Sequence, residues 1–137
     1  MRKYNHSRQE RLWAMLSHLM TVPVFLFYAI GGSIGLFITM YLFYRSRRTS
    51  PWLAFQTLQA LTFQAIAFTV FLLLQLSPST GAEDASRFAS RTFWLQVFLI
   101  VVYMEAVMGA IRCAMNLSFR YPVLGDLIQK RYGVKED

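Results

Sequence analysis

No Asp, Glu, Lys or Arg interrupts the 33 residues from Leu12 to Tyr44, and two further runs are almost as free of charge. One lies between Arg48 and Glu83, with its apolar body from Trp52 to Leu76; the other runs from Thr92 to Ile111 and is broken only by Glu105. A helix needs about 20 predominantly apolar residues to cross a bilayer, so each of these last two segments reads as one span. As a straight helix the first run would reach about 50 Å, far more than one crossing uses. It has to break.

Composition removes the soluble alternatives. Hydrophobic residues make up 55% of the 137-residue chain and charged residues 15%, against about 25% charge in a soluble domain. A chain this short cannot bury so much apolar surface in its own core. An ordinary soluble globule and a disordered tail are both excluded, and the net charge of +7 has no motif beside it that points to nucleic acid.

Gly31-Gly32-Ser33-Ile34-Gly35 is the expected break, because glycine weakens a helix and permits turns that other residues resist. The reading is then a helix over 8–30, bent at Pro23, and a short second helix over 34–46. Two longer helices follow at 51–76 and 90–119, with an interfacial segment at 122–132. The expected fold is an all-α integral membrane domain spanning 1–137: a bundle of four hydrophobic helices, the first two a Gly-Gly-linked hairpin, plus a short C-terminal interfacial helix.

The positions of the charges test that topology. The N-terminal tail carries Arg2, Lys3, Arg8 and Arg11 against Glu10, and Arg45, Arg47 and Arg48 follow the second helix. The loop from Ser77 to Arg91 is balanced, and the chain from Arg112 onward is again basic. A hairpin at the glycines puts all three basic segments on one side, as the positive-inside rule requires. Both termini are then cytoplasmic and the protein sits in the bacterial inner membrane.

Local signals mark the ends of the helices. Ser7-Arg8-Gln9-Glu10 fits a capping box. Ser50-Pro51 supplies an N-cap and a proline at the first helical position. Ser77-Pro78-Ser79-Thr80-Gly81 is turn chemistry, and Pro122 is expected to end the fourth helix near Phe119 or Arg120. Val123, Leu124, Leu127 and Ile128 then form the apolar stripe of the interfacial helix. Trp13, Tyr41, Tyr44, Trp52, Phe93 and Trp94 fall near the span ends, where aromatic rings anchor at the headgroup level.

The polar residues inside these segments are the candidate site. Glu105 costs about 2.5 to 3.5 kcal/mol to insert and shares a helical flank with Arg112. It reads either as a proton or substrate contact or as a residue paired with Arg112 or His18. His18 is the one histidine within an apolar run; an interhelical hydrogen bond is its ordinary role, and ligation of a pigment or haem is the sharper alternative. Gln56, Gln59 and Gln64 fall within an arc of about 140° on a helix, which fits either a buried packing face or a polar path. Gly109 and Cys113 form a small-xxx-small pair. Cys113 is the single cysteine, so no internal disulfide forms and no metal-ligand cluster is in sight. No phosphate-cradling loop, HExxH, GxSxG or paired-carboxylate motif occurs, and neither enzymatic activity nor a cofactor is expected.

Three stretches carry a resemblance: Glu10-Arg11-Leu12-Trp13-Ala14-Met15-Leu16-Ser17-His18-Leu19, Gln59-Ala60-Leu61-Thr62-Phe63-Gln64, and Phe119-Arg120-Tyr121-Pro122. Together they resemble the signatures of a family of small bacterial membrane proteins of unknown function related to the chloroplast import component (Tic-twenty-like). Thr62 stands where that family usually has Asn. The resemblance implies a four-helix membrane fold and supplies no catalytic residue. The leading expectation is a non-enzymatic membrane protein that acts through helix–helix contacts, as a scaffold or accessory subunit beside other membrane proteins. The alternatives are a translocation or transport component with a polar path, and a pigment-binding subunit through His18. The bilayer, including its anionic headgroups, is the other expected partner.

Overall fold

A computed structural model describes residues 6–22, 28–76 and 85–132, and among them no strand occurs. The helices bounded within the described residues are α1 (Arg8–Leu19), α2 (Tyr28–Ser46), α3 (Pro51–Leu76), α4 (Ala85–Ala114) and α5 (Leu124–Tyr132), and Thr21 and Val22 are helical as well. The expected bend at Pro23, the turn at Ser77–Gly81 and the acidic pair Glu83 and Asp84 lie outside the described residues.

The start of α1 follows its sequence signal. The Ser7 hydroxyl accepts from the Glu10 backbone N–H at 3.1 Å, and the Glu10 carboxylate accepts from the Ser7 N–H at 2.9 Å. Two of the N–H groups that a helix start leaves unpaired are thereby satisfied. Its end does not follow the expectation: α1 stops at Leu19 with Met20 as its C-cap, and no helix runs over 8–30.

The glycine hairpin is corrected in the same way. Gly31, Gly32 and Gly35 lie inside α2, which is 19 residues long rather than short. A glycine in a helix costs about 1 kcal/mol relative to alanine. An open turn at membrane depth leaves several backbone groups without partners, at several kcal/mol each. The helix therefore runs through the glycines, and the described interruption falls earlier, at Met20 after the end of α1. Among the described residues, two helices are long and apolar enough to cross a membrane, Pro51–Leu74 and Thr92–Ala114.

A tight turn over 47–50 reverses the chain between α2 and α3. Ser50 Oγ accepts from the Leu53 N–H at 3.3 Å as the N-cap, with Pro51 as the first helical residue. Ser46 and Thr57 share a hydroxyl–hydroxyl bond of 3.2 Å across the hairpin. The buried stripe of α3 continues through Ala60, Gln64, Ala67 and Phe71 at steps of three and four residues, the spacing of one helical face. Trp52 is buried too, stacked on His6 at 4.0 Å between ring centroids. It is a packing residue and not an interfacial anchor, because the N-terminal segment covers it.

The chain leaves α4 well before Pro122. Asn116 takes φ 61°, its N–H donates to the Cys113 carbonyl at 3.1 Å, and the Leu117 N–H donates to the Arg112 carbonyl at 2.9 Å. This pair of bonds is a Schellman cap, with asparagine in the left-handed position usually held by glycine. The helix expected to reach 119 therefore ends at Ala114. At its other end α4 begins at Ala85 rather than 90, since hydropathy marks where a helix meets lipid and not where its backbone starts.

α1 packs against α4 and α3, α2 against α3, and α5 against α3. The N-terminus of α1 meets the C-terminus of α4, where Arg11 Nη1 donates to the Ala114 carbonyl at 3.4 Å. A shared pocket joins that same end of α1 to the end of α2 and the start of α3. Arg8, Arg11, Arg45, Arg47, Arg48 and Arg112 consequently belong to helix ends that meet at one end of the molecule. The interior is inverted relative to a soluble protein. His18, Gln56, Thr57, Gln59 and Gln64 are buried, whereas Ile34, Phe37, Leu73, Trp94, Ile100 and Met104 are exposed. Buried amides beneath an apolar exterior are what a bilayer solvent selects.

Candidate functional site

The polar interior is one connected cluster at the junction of α1, α3, α4 and the segment that links α4 to α5. His18, the penultimate residue of α1, is at its centre. Its Nδ1 lies 2.9 Å from the Tyr121 hydroxyl and its Nε2 lies 3.4 Å from Gln56 Oε1. With the amide oxygen as acceptor, Nε2 carries the proton and Nδ1 accepts from Tyr121, which describes a neutral imidazole. Burial first, then the nearby Cys113 and Glu105, hold the Tyr121 hydroxyl above the ordinary phenol range, so it enters the bond as a donor. Gln56 Oε1 also accepts from the Cys113 thiol at 3.6 Å, which ties α4 to α3.

The other two amides serve backbone groups. Gln59 Nε2 donates to the Phe119 carbonyl at 3.1 Å while its Oε1 accepts from the Tyr121 N–H at 3.2 Å. One side chain thus replaces the pairing that this irregular segment lacks. Gln64 Nε2 donates to the Ser17 carbonyl at 2.8 Å. Ser17 lies in the last turn of α1, where carbonyls lose their intrahelical partners, so Gln64 helps to close the break in the first apolar run. Gln56 Nε2 and Gln64 Oε1 find no hydrogen-bond partner among the described residues.

Aromatic rings and two glycines complete the packing. Phe119 meets His18 edge-on at 5.5 Å and Tyr121 edge-on at 4.8 Å, and Phe63 stacks on Tyr121 at 4.2 Å. A Cβ at Gly109 would lie 2.8 Å from His18 Nδ1, and one at Gly125 would lie 2.8 Å from Gln59 Oε1. Neither position has room for a side chain. Cys113, on the same face of α4 as Gly109, is buried and offers no accessible thiol.

The structure therefore brings His18, Gln56, Gln59 and Gln64 together and leaves Glu105 and Arg112 on the flank of α4, both half-buried. Glu105 pairs with neither Arg112 nor His18; among the described residues the ion pair present is Arg120–Asp126 at 3.7 Å. Both His18 ring nitrogens face protein partners, and the contacts from Gly109 and Phe119 close the space around the ring. Among the described residues no group of three His, Cys, Asp or Glu is placed to hold a metal. Sequence reasoning missed Tyr121 as a partner of His18 and Ser17 as a target of Gln64. An aromatic residue just before Pro122 and beyond a helix end was the available signal for the first; the second depends on where α1 stops.

An inward-facing amide cluster beneath an apolar helix surface defines a small helical membrane protein. The chain belongs to the magnetosome magnetite crystal formation protein family, MamF/MmsF, whose family model matches residues 9–128. No curated protein and no solved structure matches it. This assignment replaces the Tic-twenty-like resemblance. The three motifs behind that resemblance contribute His18, Gln59, Gln64, Phe119 and Tyr121, the residues that pack the cluster.

Proposed function

We propose that this chain serves magnetite crystal formation as a non-enzymatic scaffold or accessory subunit in the membrane around the mineral. One observation carries the reading. Val101, Met104, Met108 and Ile111 on α4, continued by Met115 just past its end, recur at steps of three and four residues and are exposed, and the other described helices leave them uncovered. That repeat is the spacing of a helix–helix seam, and methionine adapts readily to a partner surface. The buried His18, Gln56, Gln59, Gln64 and Cys113, by contrast, are occupied in holding α1, α3 and α4 together.

The topology proposed with this role has four hydrophobic helices and both termini cytoplasmic. It is supported by the basic helix ends that meet at one end of the molecule. Reporter fusions after Arg48 and Tyr132 are expected to read inside, and one after Leu76 outside.

The scaffold role is tested in magnetite-forming cells that lack their own copy of this chain. Combined Met104→Ala, Met108→Ala and Met115→Ala substitutions keep the helix apolar, so abundance in the membrane is expected to be unchanged. Co-purifying membrane proteins and normal crystal size are expected to be lost together. A variant that restores crystal size as well as the wild type, or a wild-type chain that purifies strictly alone, overturns the proposal. Loss of function from Glu105→Gln at unchanged abundance would instead favour the transport reading.

A further inference from the structure

At the end of the molecule where the basic residues gather, α1, α2 and the start of α3 line an open cavity of about 240 Å³. One water needs only about 10–15 Å³ of such space. Its walls divide by chemistry. Trp13, Tyr41, Leu42 and Leu53 are apolar, Ser7, Thr49 and Ser50 carry hydroxyls, and Glu10 and Arg45 are charged. The two charges line the same cavity without forming an ion pair with each other. The Arg45 guanidinium has neither an ion pair nor a hydrogen bond among the described residues. Arg47, close by, is already engaged over the Tyr44 ring at 4.0 Å.

Glu10 is held in place. Its carboxylate stays below the usual carboxylate range, first through a hydrogen bond from Ser50 and then through those from Ser7, with burial opposing. It is therefore anionic at neutral pH. A carboxylate with two such partners still has lone pairs to offer an ammonium group. The cavity also lies at a definite depth, where the uncharged runs begin at Leu12, end at Tyr44 and begin again at Trp52. In a membrane that level belongs to the headgroups, flanked by the aromatic rings that favour it.

We propose that this cavity is a binding site for a zwitterionic phospholipid headgroup of the ethanolamine type. Arg45 takes the phosphate, Glu10 takes the primary ammonium, and the Trp13 and Tyr41 rings border the start of the acyl chains. Two separated, unpaired charges of opposite sign match a dipolar headgroup. An anionic lipid satisfies Arg45 but leaves Glu10 opposed, and a quaternary ammonium has no N–H to donate to the carboxylate. The inference rests on membrane placement and is independent of the scaffold role.

The test uses the full-length protein, stripped of lipid in mild detergent and supplied with phosphatidylethanolamine, phosphatidylglycerol or phosphatidylcholine, with lipid adducts read by native mass spectrometry. Phosphatidylethanolamine is expected to be preferred over both others by about tenfold, the scale of one charge-assisted hydrogen bond. Arg45→Ala is expected to remove that binding. Glu10→Gln is expected to abolish only the preference, since glutamine also completes a capping box. Arg47→Ala, outside the cavity, is expected to change nothing. Soluble phosphoethanolamine, which lacks the acyl chains, is expected not to compete at equal concentration. Equal retention of the three lipids by the wild type, an unaffected Arg45→Ala variant, or efficient competition by soluble phosphoethanolamine overturns the proposal.

Discussion

α3 and α4 are both long and apolar enough to cross a membrane, yet they treat their polar residues in opposite ways. α3 turns Gln56, Thr57, Gln59 and Gln64 fully inward and finds each a hydrogen bond. α4 buries small residues instead, Ala106, Gly109, Ala110 and Cys113, and leaves Glu105 on its flank with no ion pair among the described residues. The difference separates two meanings of a polar residue within an apolar segment. Where a partner of the right geometry faces it, the residue is an interhelical tie, worth about 0.6 kcal/mol on average and up to about 1.7. Where none does, it adds no tie to set against the cost of inserting it.

Mutation can break this contrast, and the largest effect is expected at its centre. His18→Ala opens a cavity and leaves the Tyr121 hydroxyl and Gln56 without their shared partner, a loss of about 3 kcal/mol in folding stability. Unfolding of the purified protein in mixed micelles measures it, and a loss below about 1 kcal/mol would show that the cluster is ornamental. Gly109→Ala is expected next, at about 1–3 kcal/mol, because its Cβ meets the His18 ring and Phe119 too closely. A double mutant with His18→Ala sharpens the point: the Gly109 penalty is expected to shrink once the ring is gone.

Smaller effects probe the edges. Val123 holds φ 65° while 73% exposed, a strained place for a β-branched residue. Val123→Gly is expected to stabilise the protein by about 1 kcal/mol, seen as a raised melting temperature. Glu10 gives the pH dependence. Its folded pKa lies below the unfolded value, so its contribution is present above the unfolded carboxylate pKa and is lost as pH falls through the folded one. A melting-temperature profile between pH 7 and 3 is expected to flatten slightly in Glu10→Gln. Glu105→Gln is expected to leave stability nearly unchanged, in contrast to Gln56, Gln59 or Gln64 changed to leucine. An equal loss at Glu105 would erase the difference between the two helices.

The helix starts were the most legible part of the fold, because a cap is a local event. Ser7 with Glu10, and Ser50 with Pro51, act on backbone groups within three residues of themselves. The helix ends were less so. Asn116 ends α4 through a left-handed residue that asparagine adopts only when the chain beyond has somewhere to go. Gly31, Gly32 and Gly35 read as a hinge and are helix, since a weak local preference yields to the need to pair every backbone group in an apolar medium. Within the candidate site the arc of Gln56, Gln59 and Gln64 marked a buried face. That Gln59 serves a backbone segment sixty residues away, and that His18 meets Tyr121, depended on how the helices come together.

By itself the sequence determined that this chain belongs in a membrane and which of its segments are basic. Charge-free length and charge position act through solvation, residue by residue, and need no knowledge of neighbours. Only the tertiary structure decided where the first uncharged run breaks, which polar residues are ties, and that Glu10 and Arg45 face one cavity. Those outcomes follow from contacts between distant parts of the chain, and a buried amide takes its role from the group placed opposite it.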